Sequence, residues 1–154
     1  MHRRWSFLAA FAALVGILSS AALAQTSRAT FPKDFDEYVL YATYDRGSAK
    51  EEAFATRETL AIAKAGKPLP PGTQLVLGIW KNNALTEYFV MEKGVNWGAD
   101  FPAEVRNGDW HFQQFDLNRQ VRRTATGDRC MSCHGSQARS DFLFTWDRMQ
   151  SYLP

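Results

Sequence analysis

The sequence predicts an α+β protein: mainly antiparallel β-sheet, with N-terminal helices before it and a cysteine motif near the C-terminus. Three observations predict it. Capping patterns at Asp34 and Ser48 open stretches with helical features. Beyond residue 73 the apolar period changes to that of strands. Both cysteines then fall within four residues, Cys130 to Cys133.

Taken in order, FPKDFDEYVLYATYDRG places Asp34 three residues before Glu37, and Phe35, Tyr38, Val39 and Ala42 keep helical spacing. The expectation is a short helix. Ser48-Ala49-Lys50-Glu51 gives a second capping box, opening a helix that runs to Ala65 and stops at Gly66. GKPLPPGT, 66–73, is a turn-rich linker. QLVLGIWK (74–81) and TEYFVMEK (86–93) are rich in branched and aromatic residues, and Asn82-Asn83-Ala84-Leu85 joins them. A β-hairpin follows, because asparagine tolerates the positive φ of tight turns. GVNWGADFPAEVRNGD reads as loop, WHFQQFD (110–116) as a third strand, and Arg119–Thr124 as a fourth. No internal repeat or low-complexity tract interrupts this order.

MHRRWSFLAAFAALVGILSSAALAQ combines a basic head, an apolar run and a small-residue site at Ala22-Leu23-Ala24. Residues 1–24 are therefore expected to be a secretory signal peptide, with residues 25–154 forming one exported domain, periplasmic in a Gram-negative cell. Cleavage removes Arg3 and Arg4 and leaves sixteen basic against sixteen acidic residues. A neutral chain offers no field for nucleic acid or an anionic membrane, so neither is expected as a partner. Aromatic residues make up 14% of the chain, including five Trp and eleven Phe, enough to wrap a large flat ligand or simply to fill a core.

The motif CMSCH, 130–134, decides between those uses. Two thiols separated by two residues match the two vinyl groups of a porphyrin, and the adjacent histidine is then held at the iron. The residues also admit a structural disulfide, a thioredoxin-like redox pair, or a zinc site completed by His111. Export, the immediately following histidine and the ring content favour one covalently attached haem c: Cys130 and Cys133 for attachment, His134 for the iron.

AGKPLPPGTQLVLGIWK, RNGDWHFQQFD and CMSCHGSQARSDFLFT, in that order, resemble the cytochrome P-460 family, which includes the cytochromes c′-beta. The likeness runs from about residue 31 to 146. It implies a periplasmic homodimer of mainly antiparallel β-fold, with haem iron bound by one histidine and its other face open. It also implies either oxidation of hydroxylamine, with electrons passed to a cytochrome partner, or binding of nitric oxide and carbon monoxide. Enzymatic members carry a lysine cross-linked to the porphyrin. Candidates near the hairpin are Lys64, Lys67, Lys81 and Lys93, and the interior of 75–80 contains none. The resemblance thus leans towards a ligand-binding member, with nitric oxide ahead of hydroxylamine.

A sixth protein ligand would make an electron carrier, and a vacant site a gas binder or catalyst. His111, Met91 and Met149 are the possible sixth ligands. Met91 shares a strand face with Phe89 and reads as core. His111 points away from Trp110 and Phe112 and reads as a surface or hydrogen-bonded residue. The expectation is an open, aromatic-lined pocket, with Phe35, Tyr38, Leu77, Ile79, Phe89 and Trp110 as candidate walls and Glu92 and Glu104 as the nearest acids.

Overall fold

A computed structural model describes residues 27–122 and 127–154. The expected leader, 1–24, and residues 123–124 of the expected fourth strand lie outside the described residues. Among the described residues, five strands form one antiparallel sheet in chain order: β1 (Val39–Arg46), β2 (Ala49–Ala55), β3 (Gln74–Lys81), β4 (Ala84–Lys93) and β5 (Trp110–Phe115). Three short α-helices among the described residues complete it: α1 (Arg57–Lys64), α2 (Gly127–His134) and α3 (Trp146–Gln150). Among the described residues, no helix is long and apolar enough to cross a membrane.

The α+β class and the dominant sheet agree with expectation, but the N-terminal helices do not. Residues 35–37 form only a 3₁₀ turn, and the chain then enters β1. Ser48 opens no helix either. Gly47 takes φ +71°, and Arg46 pairs with Ala49, so Gly47-Ser48 is the turn of a β1–β2 hairpin. AKEEAFA has helix-forming composition, yet β2 lies between β1 and β3 with partners on both edges. Ladder hydrogen bonds and burial of Ala53 and Ala55 override a propensity worth only tenths of a kcal/mol per residue. The helix starts eight residues later, where the Thr56 hydroxyl accepts from Thr59 N at 3.1 Å. Its end is where expected, before Gly66 at φ +68°.

The β3–β4 hairpin is also as expected. Asn82 and Asn83 have φ of 51° and 62°, the geometry of a two-residue turn, and β4 starts directly at Ala84. Among the described residues, the expected fourth strand after Asn118 reduces to one bridge, Val121 with Phe115.

Each face of the sheet has its own core. On one, Val76, Val90 and Phe115 pack with Phe31, Phe35, Tyr38, Phe54 and Tyr88. Phe31 sits edge-on to Phe35, Tyr88 and Phe115 with centroids 5.2, 5.2 and 5.5 Å apart. Such pairs add about 0.5–1.5 kcal/mol each beyond the area they bury. On the other face, Leu75, Trp110 and Phe112 meet Leu60 and Ala63 of α1, Met131 of α2, Leu143, and Met149 of α3. This second core stops short of the middle of the sheet, where the functional site begins.

Candidate functional site

The helix α2 places Cys130, Cys133 and His134 at i, i+3 and i+4, one side of a helical turn. All three line a cavity of about 930 Å³ against the sheet. Met131, pointing elsewhere, is buried and anchors the helix in the second core. Two carbonyls near the end of α2 are met by side chains. Buried Asn107 donates Nδ2–H to Met131 O at 3.1 Å, and Ser136 Oγ donates to Cys133 O at 2.8 Å.

Both cysteines are free thiols, Cys130 half-buried and Cys133 exposed. Burial pushes the Cys130 thiol up, and Cys133 beside it adds to the effect. Burial lowers the pKa of His134, partly opposed by its hydrogen bond to Phe142 O. That bond, 2.7 Å from Nδ1, requires the proton on Nδ1 because a carbonyl only accepts. In the neutral form of the ring the lone pair is then on Nε2. Phe112 and Phe144 hold it from two directions, at centroid distances of 4.8 and 5.1 Å.

Strand register orders the sheet wall of the cavity. Leu75, Met91 and Phe112 form the cross-strand row nearest His134. Ala53, Leu77, Phe89 and Gln114 form the next, and Glu51 with Ile79 the one after. Tyr41, Tyr44 and Arg46 of β1 also line the cavity. Arg46 Nε donates to Glu51 Oε2 at 3.3 Å.

Of the expected walls, Leu77, Ile79 and Phe89 line the cavity. Phe35 and Tyr38 do not; they belong to the ring cluster on the opposite face. Trp110 is fully buried in the second core and donates Nε1–H to Asp141 at 3.3 Å. Glu92 is also elsewhere, accepting from Thr30 and Gln74, and Glu104 is exposed.

The possible sixth ligands separate as clearly. His111 is buried, accepting from Arg28 N at Nδ1 (3.1 Å) and facing Trp97 O at Nε2 (3.0 Å). It is the hydrogen-bonded residue the strand pattern suggested. Met149 is closed inside the second core, while Met91 lines the cavity in the row of Phe112. No lysine lines the cavity among the described residues. Lys81 pairs with Glu87 and Lys93 with Asp141, and Lys64 and Lys67 are exposed.

Sequence reasoning missed Arg46, Glu51, Tyr44 and Gln114. The signal for the first three was Arg46-Gly47-Ser48-Ala49. Read as a hairpin turn, it brings Arg46 and Glu51 together across two strands.

The family model for Cytochrome P460 matches residues 32–145. The chain belongs to this family. Membership makes it a haem protein, and the match spans all five strands, α1, α2 and the DFLFT segment after the cysteine motif. No curated protein matches the chain. In this cytochrome P460 the large cavity is formed between the motif helix and the open part of the sheet.

Proposed function

We propose that this cytochrome P460 carries one haem c on Cys130 and Cys133, uses His134 as the iron's protein ligand, and binds nitric oxide on the opposite face. The donor set suits the group: two free thiols one turn apart, an imidazole held at Nδ1 by Phe142 O, and a largely apolar sheet wall. Cys130 and Cys133 would hold the group as thioethers, each S–H adding across a vinyl double bond with its hydrogen going to the neighbouring carbon, so that no oxidant would be needed.

The observation that carries the proposal is the composition of the two outer rows. Ala53, Leu77, Phe89, Gln114, Glu51 and Ile79 include no histidine, methionine or lysine. No imidazole, thioether or amine there offers a low-spin sixth ligand or a lysine cross-link to the porphyrin. The haem supplies an iron able to take a small nitrogen oxide on its open side. Leu77, Phe89 and Ile79 exclude water and favour a neutral diatomic, while His134 is fixed by Phe142 O and Phe112. Export to the periplasm through the leader 1–24 and assembly as a homodimer belong to the same reading.

One observation favours hydroxylamine oxidation as a second reading. Glu51 lines the cavity, and oxidation needs a group that accepts protons. The electrons would then pass to a cytochrome partner. A plain electron shuttle would need Met91 on the iron, and its row also holds Phe112, the ring against His134.

The test is a nitric oxide titration of the reduced holoprotein. One saturable optical shift per chain is expected; no shift at millimolar gas, or steady turnover of hydroxylamine with an electron acceptor, would displace the binding reading.

A further inference from the structure

Two consecutive residues just after the motif, Asp141 and Phe142, have φ of 52° and 64°. Asp tolerates this left-handed region, but a bulky aromatic rarely occupies it, so the surroundings must hold the chain there. The holding groups come from the sheet. Lys93 Nζ donates to both Asp141 oxygens at 2.9 Å, and Trp110 Nε1 donates to Oδ1 at 3.3 Å. Lys93 and Trp110 are cross-strand partners on β4 and β5, and the ammonium lies 5.3 Å from the indole centroid. Side-chain exposures of 14% for Lys93 and 19% for Asp141 leave the pair little screened by solvent. Beyond it, Phe142 N donates to Gln137 O at 2.8 Å, and the Phe142 ring packs against Gly108. The strained turn directs Phe142 O to His134 Nδ1 at 2.7 Å.

We propose that Lys93 and Asp141 are positioning residues for the iron ligand, fixing through the Phe142 carbonyl the orientation and donor strength of His134. This rests on the reading of His134 as that ligand. A carbonyl accepting from Nδ1–H raises the basicity of Nε2 and fixes the ring plane. A stronger donor favours ferric over ferrous iron and strengthens the iron–histidine bond. The ion pair couples this bond to the rigid sheet rather than to a surface loop. It also gives Lys93 a role other than a cross-link to the porphyrin.

The test compares wild-type holoprotein with Lys93→Met, Lys93→Arg, Asp141→Gly and Asp141→Asn. Glycine and asparagine both accept positive φ, so the two Asp141 variants remove the charge without forbidding the backbone. Readouts are the iron–histidine stretching frequency of the ferrous protein and the ferric/ferrous midpoint potential. The expected result is a lower frequency and a higher potential in Lys93→Met and both Asp141 variants, with Lys93→Arg near wild type. Should one variant fail to fold, the others carry the same expectation. Unchanged frequency and potential in folded, haem-loaded variants would overturn the proposal. A wild-type protein whose ferrous spectrum shows no iron–histidine bond overturns the ligation reading itself, and is seen before any variant is compared.

Discussion

Phe112 of β5 and His134 at the end of α2 meet ring to ring, with centroids 4.8 Å apart and planes tilted by 49°. This contact connects the sheet to the motif helix, because Phe112 is a buried member of the core that also holds Met131. Phe112→Ala is expected to cost about 3–5 kcal/mol of unfolding free energy. Chemical denaturation measures it. The same variant should broaden the distribution of His134 orientations, visible as a broadened iron–histidine band.

His111 supplies a contrasting case. It is buried on the face away from the motif, holding Arg28 N and Trp97 O. His111→Phe should lower stability by about 1–3 kcal/mol, since it leaves buried backbone groups unmatched. The haem spectrum should not change. A change of spin state in this variant would reinstate His111 as an iron ligand.

Glu51 separates the two chemical readings. Glu51→Gln retains size and removes the proton acceptor beside Arg46. Nitric oxide affinity is expected to stay within about threefold of wild type. Any hydroxylamine oxidation should fall by roughly 10²-fold, the usual contribution of a positioned base. Stopped-flow binding and steady-state turnover measure the two effects independently.

Glu87 fixes the acid side of the stability profile. Burial raises its pKa, but the Lys81 hydrogen bond and charge, the Gln114 hydrogen bond and the Arg122 charge more than reverse this, so the net shift is downward. Lys81 Nζ and Arg122 reach the carboxylate at 2.9 and 3.1 Å. A depressed folded-state pKa contributes stability above the unfolded value of 4.5 that is lost as pH falls through the folded value. Wild type should therefore exceed Glu87→Gln by about 1–2 kcal/mol at pH 7, given the exposure of both cations. The gap should close below pH 4.5. Denaturation midpoints of the two proteins across pH 3–7 test this.

Tyr41 ties β1 to the segment after the motif, its hydroxyl 2.8 Å from Thr145 Oγ1. Burial pushes that hydroxyl well above the ordinary tyrosine range, opposed in part by the Thr145 bond. Tyr41→Phe should cost about 1 kcal/mol, measured by thermal unfolding, and leave haem content unchanged.

What the sequence revealed depended on whether a signal was local. The Asn82-Asn83 turn, the strands around it and the stop at Gly66 are written in side chains that act within a few residues. CMSCH likewise needs only one helical turn to bring its three groups together. The β1–β2 hairpin is different. Its second strand is alanine, lysine and glutamate apart from Phe54, and β3 supplies its partner from 22 to 32 residues away. Misreading it hid Arg46, Tyr44 and Glu51, three of the polar residues at the cavity. Phe35 and Tyr38 were misplaced for the same reason. A helix there would have aimed them differently, whereas the 3₁₀ turn before β1 sets them on the opposite face. The Lys93–Asp141 pair joins residues 48 positions apart, and no short pattern announces it.

The optical spectrum of periplasmically matured protein, ferric and ferrous, before and after nitric oxide, tests the proposed open face of the iron. The expected result is covalently held haem with high-spin features that shift when the gas is added. A low-spin spectrum indifferent to nitric oxide would contradict it and point to Met91 on the iron. A strongly red-shifted ferrous Soret band would contradict it differently, showing a cross-linked porphyrin.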